Sequence, residues 1–391
     1  LSAPTQDDLY AWALSQQRGG VFATSGAVTT QNVPEAGDLT GILSVTEQGS
    51  DVSMIVFGPT GKTYTAMRAA GVWRGWVGLY SEYNKPRTVR PARFVVGTST
   101  AGWTVDDCDY LCDGTSDQTE INAAIAALPS GGGEVLLLDG TYNISGSITI
   151  SKANVSLRGC GPATVLLRKF NGTSANGLIG CSAANCTISH LAIDGNKGSY
   201  TNENNRGVYA SKSAANISIE QITVQNSRDG IYLGGMTGGR IAKCKVTNSG
   251  AFGIYLYGAT EIDVSLNHID GTGETAVFVN GGKSTKVDGN TITGSTNYGV
   301  RLFSGATMCT LSNNICLDNA GGISIEDASM CSVGGNLCMR GSGTPEDYDS
   351  EKVTIRATSA SSNNIIAGNL VMGKGVEDSG TGNLVVNNKF E

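Results

Sequence analysis

The sequence predicts an all-β protein whose larger part is a single-stranded parallel β-helix. Three observations lead to this prediction. The 391 residues include 54 Gly but only 8 Pro, two columns of similar residues recur every 23 positions, and the recurrences contain apolar–x–apolar triplets typical of short strands with one buried face. Stacked coils need many turns and few prolines, because each strand must donate hydrogen bonds to the next coil.

The recurring columns define one coil of about 23 residues. One column places an inward apolar residue at Ile231, Ile254, Val277, Val300 and Ile323. The other column consists of turn asparagines at Asn267, Asn290, Asn313 and Asn336, each followed two residues later by Ile269, Ile292, Ile315 and Cys338. After an insertion around 341–350, Val353-Thr-Ile355 repeats the strand pattern. Each coil buries its inner face only by stacking on its neighbours.

The elements before the coils are predicted in chain order. Residues 1–82 show no period and form a small separate domain, and 83–102 form a linker. Residues 103–133 form an N-terminal cap with a helix near 116–128, and 134–391 form the β-helix with roughly eleven coils. In the helix, Ser116 or Asp117 is the expected cap, and the expected apolar stripe is Ile121, Ile125 and Leu128.

Charge and composition exclude several classes of partner. The net charge is −7 without a basic block, so we expect no nucleic acid, and no apolar run is long enough for membrane insertion. The ten Cys lie mostly in strand-like runs, which predicts buried free thiols. Cys108 and Cys112 lack a second ligand pair, and no Asp cluster suits calcium, so we predict no metal and no cofactor.

The cap region also carries a family resemblance. The segment from Asp113 to Tyr142, followed by Ser147–Ile150 and Val155–Gly161, resembles the entry to pectate-lyase-like proteins with a right-handed parallel β-helix. This entry is common in bacteriophage tailspikes and in polysaccharide-degrading enzymes. The resemblance implies the fold and leaves the reaction open, because lyases, hydrolases, epimerases and inert fibres share it.

The first hundred residues resemble the small knob domain of phage tail fibres and pyocins. The matching motifs are Gly20-Val-Phe22, Val33-Pro34, Gly41–Val45, Thr63-Tyr64, Met67-Arg68 and Gly71-Val-Trp73-Arg-Gly-Trp76. The two resemblances together imply a phage or prophage receptor-binding protein of the virion tail, located outside the cell. They imply a homotrimer that contacts a bacterial surface glycan and other tail proteins. The start at Leu1 indicates a processed chain or a fragment of a longer fibre.

One outward column is the candidate binding surface. Between the inward residues lie Tyr232, Tyr255, Phe278, Arg301 and Ser324. Three aromatic residues on consecutive coils, about 4.8 Å apart, form a platform on which the apolar faces of sugars stack. Arg206 and Arg228 lie beside this column and are further candidates for substrate binding. A trimer interface, or a long loop covering this face, is the alternative interpretation.

Four carboxylates are candidate catalytic residues. Asp229 and Glu274 fall two coils apart, about 10 Å at the backbone, which long side chains can reduce to the roughly 6.5–9.5 Å of an inverting glycosidase. Asp194, and Glu203 in the polar insertion 197–206, are the second choice for the acid. The alternative for each is an ordinary turn residue; an Asp in a turn often bonds its own backbone.

The predicted function is binding and cleavage of a bacterial surface polysaccharide, with hydrolysis ahead of elimination. Two alternatives remain. One is a non-enzymatic receptor-binding or structural fibre with the same fold. The other is a polysaccharide lyase or epimerase, which needs a base beside the substrate carboxylate; the two histidines, His190 and His268, are read as structural or exposed.

Overall fold

The computed structural model describes residues 9–10, 13, 16, 20–23, 40–45, 52–57, 63–69, 72–79, 92–172, 176–340 and 354–390. The chain divides into two compact units, Leu1–Arg90 and Pro91–Glu391. Within the described ranges, no helix has the length and apolar character needed to cross a membrane.

The first unit contains a five-stranded antiparallel sheet in which sequential strands pair. Its strands are Gly20–Ala23, Thr40–Val45, Val52–Phe57, Thr63–Ala69 and Val72–Leu79. Leu9, Met54 and Val56 are fully buried, and the ring of Tyr10 stacks on Trp73 at 4.0 Å. The knob-like assignment of 1–82 stays a prediction, and its Val33-Pro34 motif lies outside the described residues.

The second unit is a parallel β-helix with three sheets, here called A, B and C. The strands of sheet A are Ile148–Ile150, Gly177–Cys181, Arg206–Ala210, Ile231–Gly234, Ile254–Tyr257, Val277–Asn280, Tyr298–Phe303, Gly321–Glu326, Ile355–Ala357 and Val376–Asp378. The strands of sheet B are Arg93–Thr98, Tyr110–Cys112, Gly133–Leu137, Val155–Arg158, Thr187–Ser189, Ala215–Glu220, Thr237–Ala242, Thr260–Ser265, Lys286–Asp288, Thr310–Ser312, Ser332–Gly334, Ile365–Ala367 and Leu384–Val386. The strands of sheet C are Gly140–Ile144, Thr164–Arg168, Ala192–Asp194, Thr223–Gln225, Lys245–Thr247, His268–Asp270, Thr291–Thr293, Ile315–Asn319, Leu337–Arg340, Leu370–Met372 and Lys389–Phe390.

The apolar column of sheet A has the predicted register. Ile231, Ile254, Val277, Val300 and Ile323 pair in succession, and all five are fully buried. The repeat of this strand was misplaced by two residues, because Ile355 and not Val353 pairs with Ile323. Val353 and the insertion at 341–350 lie outside the described residues.

The asparagine column is also real, but one member was wrong. Side-chain hydrogen bonds run from Asn267 to Asn290, then to Asn314 and Asn336, and continue through Asn369 to Asn388. Asn313 is exposed, and Ile315 is 38% exposed while Cys316 is buried. Lys283 pairs with Thr307, and Thr307 with Ser329. A coil of 24 residues is therefore followed by one of 22. Together they equal two coils of 23 residues, so the spacing did not reveal that the column passes through Asn314 and not Asn313.

The cap agrees with its predicted helix and differs at the linker. The helix spans Gln118–Ala127 and buries Ile121, Ile125 and Leu128 as expected. Asp117 precedes it without capping it; its carboxylate instead accepts bonds from the Gly114 and Asn143 amides, at 2.8 and 2.6 Å. The predicted linker, 83–102, is too long, because the strand Arg93–Thr98 within it pairs with Glu134–Leu137 inside sheet B. A 3-10 turn, Ser99–Ala101, follows that strand.

All ten cysteines are free thiols, and nine are buried; Cys160 is the exposed one. Cys112, Asp117 and Glu120 bring their ligand atoms within 4.8 Å of one another, the one such group among the described residues. Since the oxygens of Asp117 already hold two backbone amides, this group serves the cap.

Candidate functional site

A continuous run of aromatic rings covers the outward face of sheet A. Side chains alternate between the two faces of a strand, and the register places Tyr209, Tyr232, Tyr255 and Phe278 in one outward column. Rings from neighbouring positions extend it. We call the whole set the aromatic strip: Tyr209, Tyr232, Phe252, Tyr255, Tyr257, Phe278 and Phe303.

The rings of the aromatic strip are in direct contact along the helix axis. Tyr209 stacks on Tyr232 with centroids 5.4 Å apart, and Tyr232 meets Tyr255 edge-on at 4.9 Å. Tyr255 and Phe278 stack at 5.0 Å, and Phe303 follows at 5.9 Å. These separations lie in the roughly 4.5–7 Å range of favourable aromatic pairs, so the rings hold one another in place.

The strip is only partly covered. Phe278 is 6% exposed and Tyr257 is 53% exposed, while Tyr209, Tyr232 and Tyr255 are half-buried. Burial raises the pKa of the Tyr232 phenol to about 12. The amide of Asn280 donates to the Tyr255 hydroxyl at 3.2 Å. The surface is therefore apolar, with a few fixed hydroxyl and amide groups.

An arginine lies at each end of the strip. The guanidinium of Arg206 lies 4.1 Å from the ring centre of Tyr232 and 5.5 Å from that of Tyr209. At the other end, the guanidinium of Arg301 lies 4.6 Å from the ring of Phe303, and its Nη2 is 2.6 Å from a Glu326 oxygen. Cations over aromatic faces are favourable contacts, so these contacts hold both arginines over the rings.

A further arginine, Arg168, fixes the segment that carries Arg206. Arg168 is fully buried and donates to the carbonyl oxygen of Arg206 and to the Asn205 side chain. Its guanidinium lies 4.6 Å from the ring of Phe170. Burial lowers the Arg168 pKa to about 10. The polar insertion therefore ends at a fixed position beside the strip.

Asp229 lies beneath the Arg206 end of the strip. It is 4% exposed, with Arg206 Nε at 3.4 Å and Arg228 Nη1 at 3.6 Å from its oxygens. The Phe252 amide also donates to it, at 3.4 Å. Burial raises the pKa of Asp229, and Arg228 and Arg206 counteract that rise. This carboxyl group combines burial with a contact to the strip's cation.

Glu274 occupies the predicted position two coils further on. Backbone hydrogen bonds link Arg228 to Ala251 at 2.7 Å and Ala251 to Glu274 at 3.0 Å, which confirms the shared column. The Glu274 side chain is half-buried and accepts a bond from the Asn297 amide at 2.7 Å. The two carboxylates therefore lie in adjacent columns of the turn between sheets C and A.

The second predicted cluster lies outside the strands of sheet A, and Glu203 is in the loop that leads to Arg206. Asp194 ends a strand of sheet C and shares an outward column with Asp270, as predicted. Its oxygens accept bonds from the Asn196 amide at 2.8 Å, Gln225 at 3.0 Å and Asn226 at 3.1 Å, which is the turn arrangement given as the alternative. Glu203 is exposed. Neither lies on the sheet that carries the strip.

Four rings of the strip were missed. Tyr209 precedes Tyr232 by 23 residues, so the repeat itself held the signal. Tyr257 and Phe303 lie in the neighbouring outward column, and Phe252 lies in the turn. The rings of Phe252 and Phe303 reach the strip through the stacking of adjacent coils, at 5.0 and 5.9 Å from Phe278.

Comparisons with known proteins define the class of fold. Residues 206–390 match the family model described as a right handed beta helix region, so this part of the chain is a right-handed parallel β-helix. Among curated proteins, none matches the sequence.

Three solved structures illustrate the likeness. DFA-IIIase from Arthrobacter chlorophenolicus A6 is 13% identical, over 75% of this chain and 84% of that one, with a TM-score of 0.60. A mutant tailspike protein of E. coli bacteriophage HK620, in complex with a pentasaccharide, is 16% identical over 71% of this chain and 58% of that one, with a TM-score of 0.54. The Agl-KA catalytic domain is 15% identical over 85% and 74%, with a TM-score of 0.50. At these identities the likeness establishes the fold.

Proposed function

We propose that this protein binds a polysaccharide of a bacterial surface along the aromatic strip. The observation that carries the proposal is the unbroken contact of seven outward rings across consecutive coils. Sugar rings have apolar faces that pack on aromatic faces, and a row of rings with the coil spacing suits an extended chain of sugars. The solved tailspike with the same fold holds a pentasaccharide, which supports the proposal.

The arginines give the strip its polar contacts. Arg206 and Arg228 share the carboxyl group of Asp229, and Arg301 pairs with Glu326, each within 4 Å, so each cation already has an acidic partner. Guanidinium donors that are already oriented can bond sugar hydroxyls without ordering new side chains. We therefore assign them to glycan binding rather than to the capture of a strongly anionic polymer.

Cleavage of the bound glycan by hydrolysis is the second candidate function. The observation that favours it is the placement of Asp229 and Glu274 in adjacent columns of one turn, two coils apart and beside the strip. Burial raises the pKa of Asp229, the direction that suits a general acid. In this scheme Asp229 donates a proton to the leaving oxygen, and Glu274 removes a proton from the attacking water, the two roles of an inverting glycosidase. Elimination or epimerisation, and a fibre that only binds, are the competing outcomes.

We also propose that the protein is part of a phage or prophage tail, outside the cell, where it forms a homotrimer that contacts other tail proteins.

A change in the outward face of sheet C supports self-association. That face is polar at His268, Asp270, Thr291 and Thr293, and it becomes apolar at Ile315, Leu317, Leu337, Met339, Leu370 and Met372.

The test is binding and turnover on a panel of capsule, wall and lipopolysaccharide glycans. New reducing ends without absorbance from an unsaturated sugar indicate hydrolysis, and both signals together indicate a lyase. Binding with neither signal identifies a fibre or, if product sugars change configuration, an epimerase. Absence of binding to every host-derived glycan contradicts the proposed function.

The catalytic assignment has its own control. Asp229→Asn and Glu274→Gln should each reduce hydrolysis by at least about 100-fold, the lower end for general acid–base groups, with binding retained. Asp194→Asn, on sheet C, is the matched carboxylate control and should leave turnover unchanged. Full turnover by Asp229→Asn and Glu274→Gln shows that other residues act.

A further inference from the structure

The outward column that carries the strip continues beyond Tyr209 toward the cap. Tyr209 pairs with Gly180, and Gly180 pairs with Thr149 on the first strand of sheet A. The column therefore changes from large rings to a glycine and a small polar residue. This leaves a depression directly beyond the last ring of the strip.

The backbone does not require a glycine at position 180. Its φ lies outside the left-handed region, and a Cβ placed on it would meet only the Ile148 carbonyl oxygen, at an ordinary 3.9 Å. By contrast, a Cβ at Gly177 on the same strand would approach the backbone atoms Ile179 O and Tyr209 N to 2.8 Å. What Gly180 provides is therefore open space on the outer face.

That space is a cavity of about 90 Å³, with Gly180 on its wall. One face of the Tyr209 ring stacks on Tyr232, with an interplanar angle of 20°. Tyr209 also lines the cavity, beside Gly180, the preceding residue of the column. The rest of the wall is Cys181 and four small polar residues: Thr149, Asn176, Ser182 and Ser211.

Among the described residues, the wall carries hydroxyl and amide groups and a cysteine, and no charged side chain. Two cations lie near this face. The guanidinium of Arg206 is 5.5 Å from the Tyr209 ring centre and contacts the Asp229 carboxyl group. The other cation is Lys152, which lines the next depression. Its ammonium donates to the carbonyl oxygens of Ala126, at 3.0 Å, and of Leu128, at the end of the cap helix. It therefore serves the helix and leaves the cavity neutral.

We propose that this cavity is a subsite for one uncharged sugar ring, packed against Tyr209 with its hydroxyls bonded to the small polar side chains. It marks the cap-side end of the glycan-binding face. The inference rests on the proposed function, because it concerns the same glycan.

The test fills the cavity. Gly180→Leu projects a side chain into it, and Gly131→Leu is the matched control, since Gly131 is an exposed cap glycine with no atom within 4 Å of its Cβ. The probe is the neutral oligosaccharide, from a panel of neutral and uronate-containing bacterial oligosaccharides, that wild type binds most tightly. Gly180→Leu and Tyr209→Ala should weaken binding about three- to tenfold, the range of one aromatic contact. Gly131→Leu should stay within about twofold.

The outcomes distinguish a failure of the subsite from a failure of the proposed function. If Gly180→Leu binds like wild type while Tyr255→Ala is weakened, the subsite is wrong and the glycan-binding face stands. If wild type binds no oligosaccharide, the proposed function fails and the subsite falls with it. If only uronate-containing ligands are weakened, the ring is not uncharged. Thermal unfolding checks each variant, and Gly180→Val is the smaller replacement should Gly180→Leu not fold.

Discussion

The guanidinium of Arg206 lies 4.1 Å from the centre of the Tyr232 ring. Its Nε is also 3.4 Å from the buried carboxylate of Asp229. Arg206 therefore connects the aromatic strip to the most buried of the candidate acids. A substitution of Arg206 should therefore alter both the aromatic strip and the pKa of Asp229.

Replacing Arg206 with Met should destabilise the β-helix more at pH 7 than at pH 4. Burial raises the folded pKa of Asp229, so its favourable contribution is complete below the unfolded value of about 3.9 and is lost as pH rises through the folded value. Removing a cation raises that folded pKa further. We expect a loss of about 3 kcal/mol at pH 7 and a smaller one at pH 4, measured by denaturant unfolding.

The control for this prediction is Arg240→Met. Arg240 is 46% exposed and contacts Glu220 and Asp263 on sheet B, and exposed pairs contribute about 0–1 kcal/mol. If Arg206→Met loses the same stability at pH 7 and at pH 4, the substitution does not change the pKa of Asp229.

The asparagine column offers a second prediction. Asn314→Ala should destabilise the β-helix by about 3 kcal/mol, because it removes four buried hydrogen bonds: those that its side-chain oxygen accepts from the Asn290 backbone N–H and side-chain amide, and those that its side-chain amide donates to the Val287 carbonyl and the Asn336 oxygen. Asn313→Gly should be nearly neutral, since Asn313 is exposed with φ 56°, a conformation that glycine adopts freely. Chemical denaturation measures the free energy of unfolding of both variants. A larger loss of stability for Asn313→Gly than for Asn314→Ala would indicate that Asn313 belongs to the buried column, as the 23-residue spacing predicted.

The apolar part of sheet C gives a third prediction. Leu337→Asp should shift the protein from trimer to monomer in sedimentation velocity, because a charge in an apolar contact is left without a partner. His268→Asp, on the polar part of the same sheet, should leave the assembly intact. A trimer that persists in Leu337→Asp shows that the subunits meet through another face.

The sequence allowed prediction of the coils where their lengths were regular. Ile231 to Ile323 follow a strict 23-residue repeat, so spacing alone gave their register. Asn313 was misassigned because an added residue in one coil and a missing one in the next cancel in the count. The strand at Ile355 could not be aligned through the insertion, whose length the repeat does not specify.

The candidate site was predictable only in part. Alternation in sheet A identified Tyr232, Tyr255 and Phe278, because an outward column follows from register. The burial of Asp229 and its contact with Arg206 could not be predicted, since both depend on side-chain directions at a turn. Phe303 joins the strip because neighbouring coils lie close enough for rings in different columns to touch, which spacing does not show.

The most direct test of the glycan-binding face is the affinity of Tyr255→Ala for the glycan that wild type binds most tightly. Tyr255 contacts four other rings of the strip, so its loss should weaken binding about tenfold in calorimetric titration. Leu266→Ala, a 55% exposed apolar side chain at the turn between sheets B and C, should bind like wild type. Equal affinity for wild type and Tyr255→Ala would contradict the assignment of the strip as the glycan-binding face.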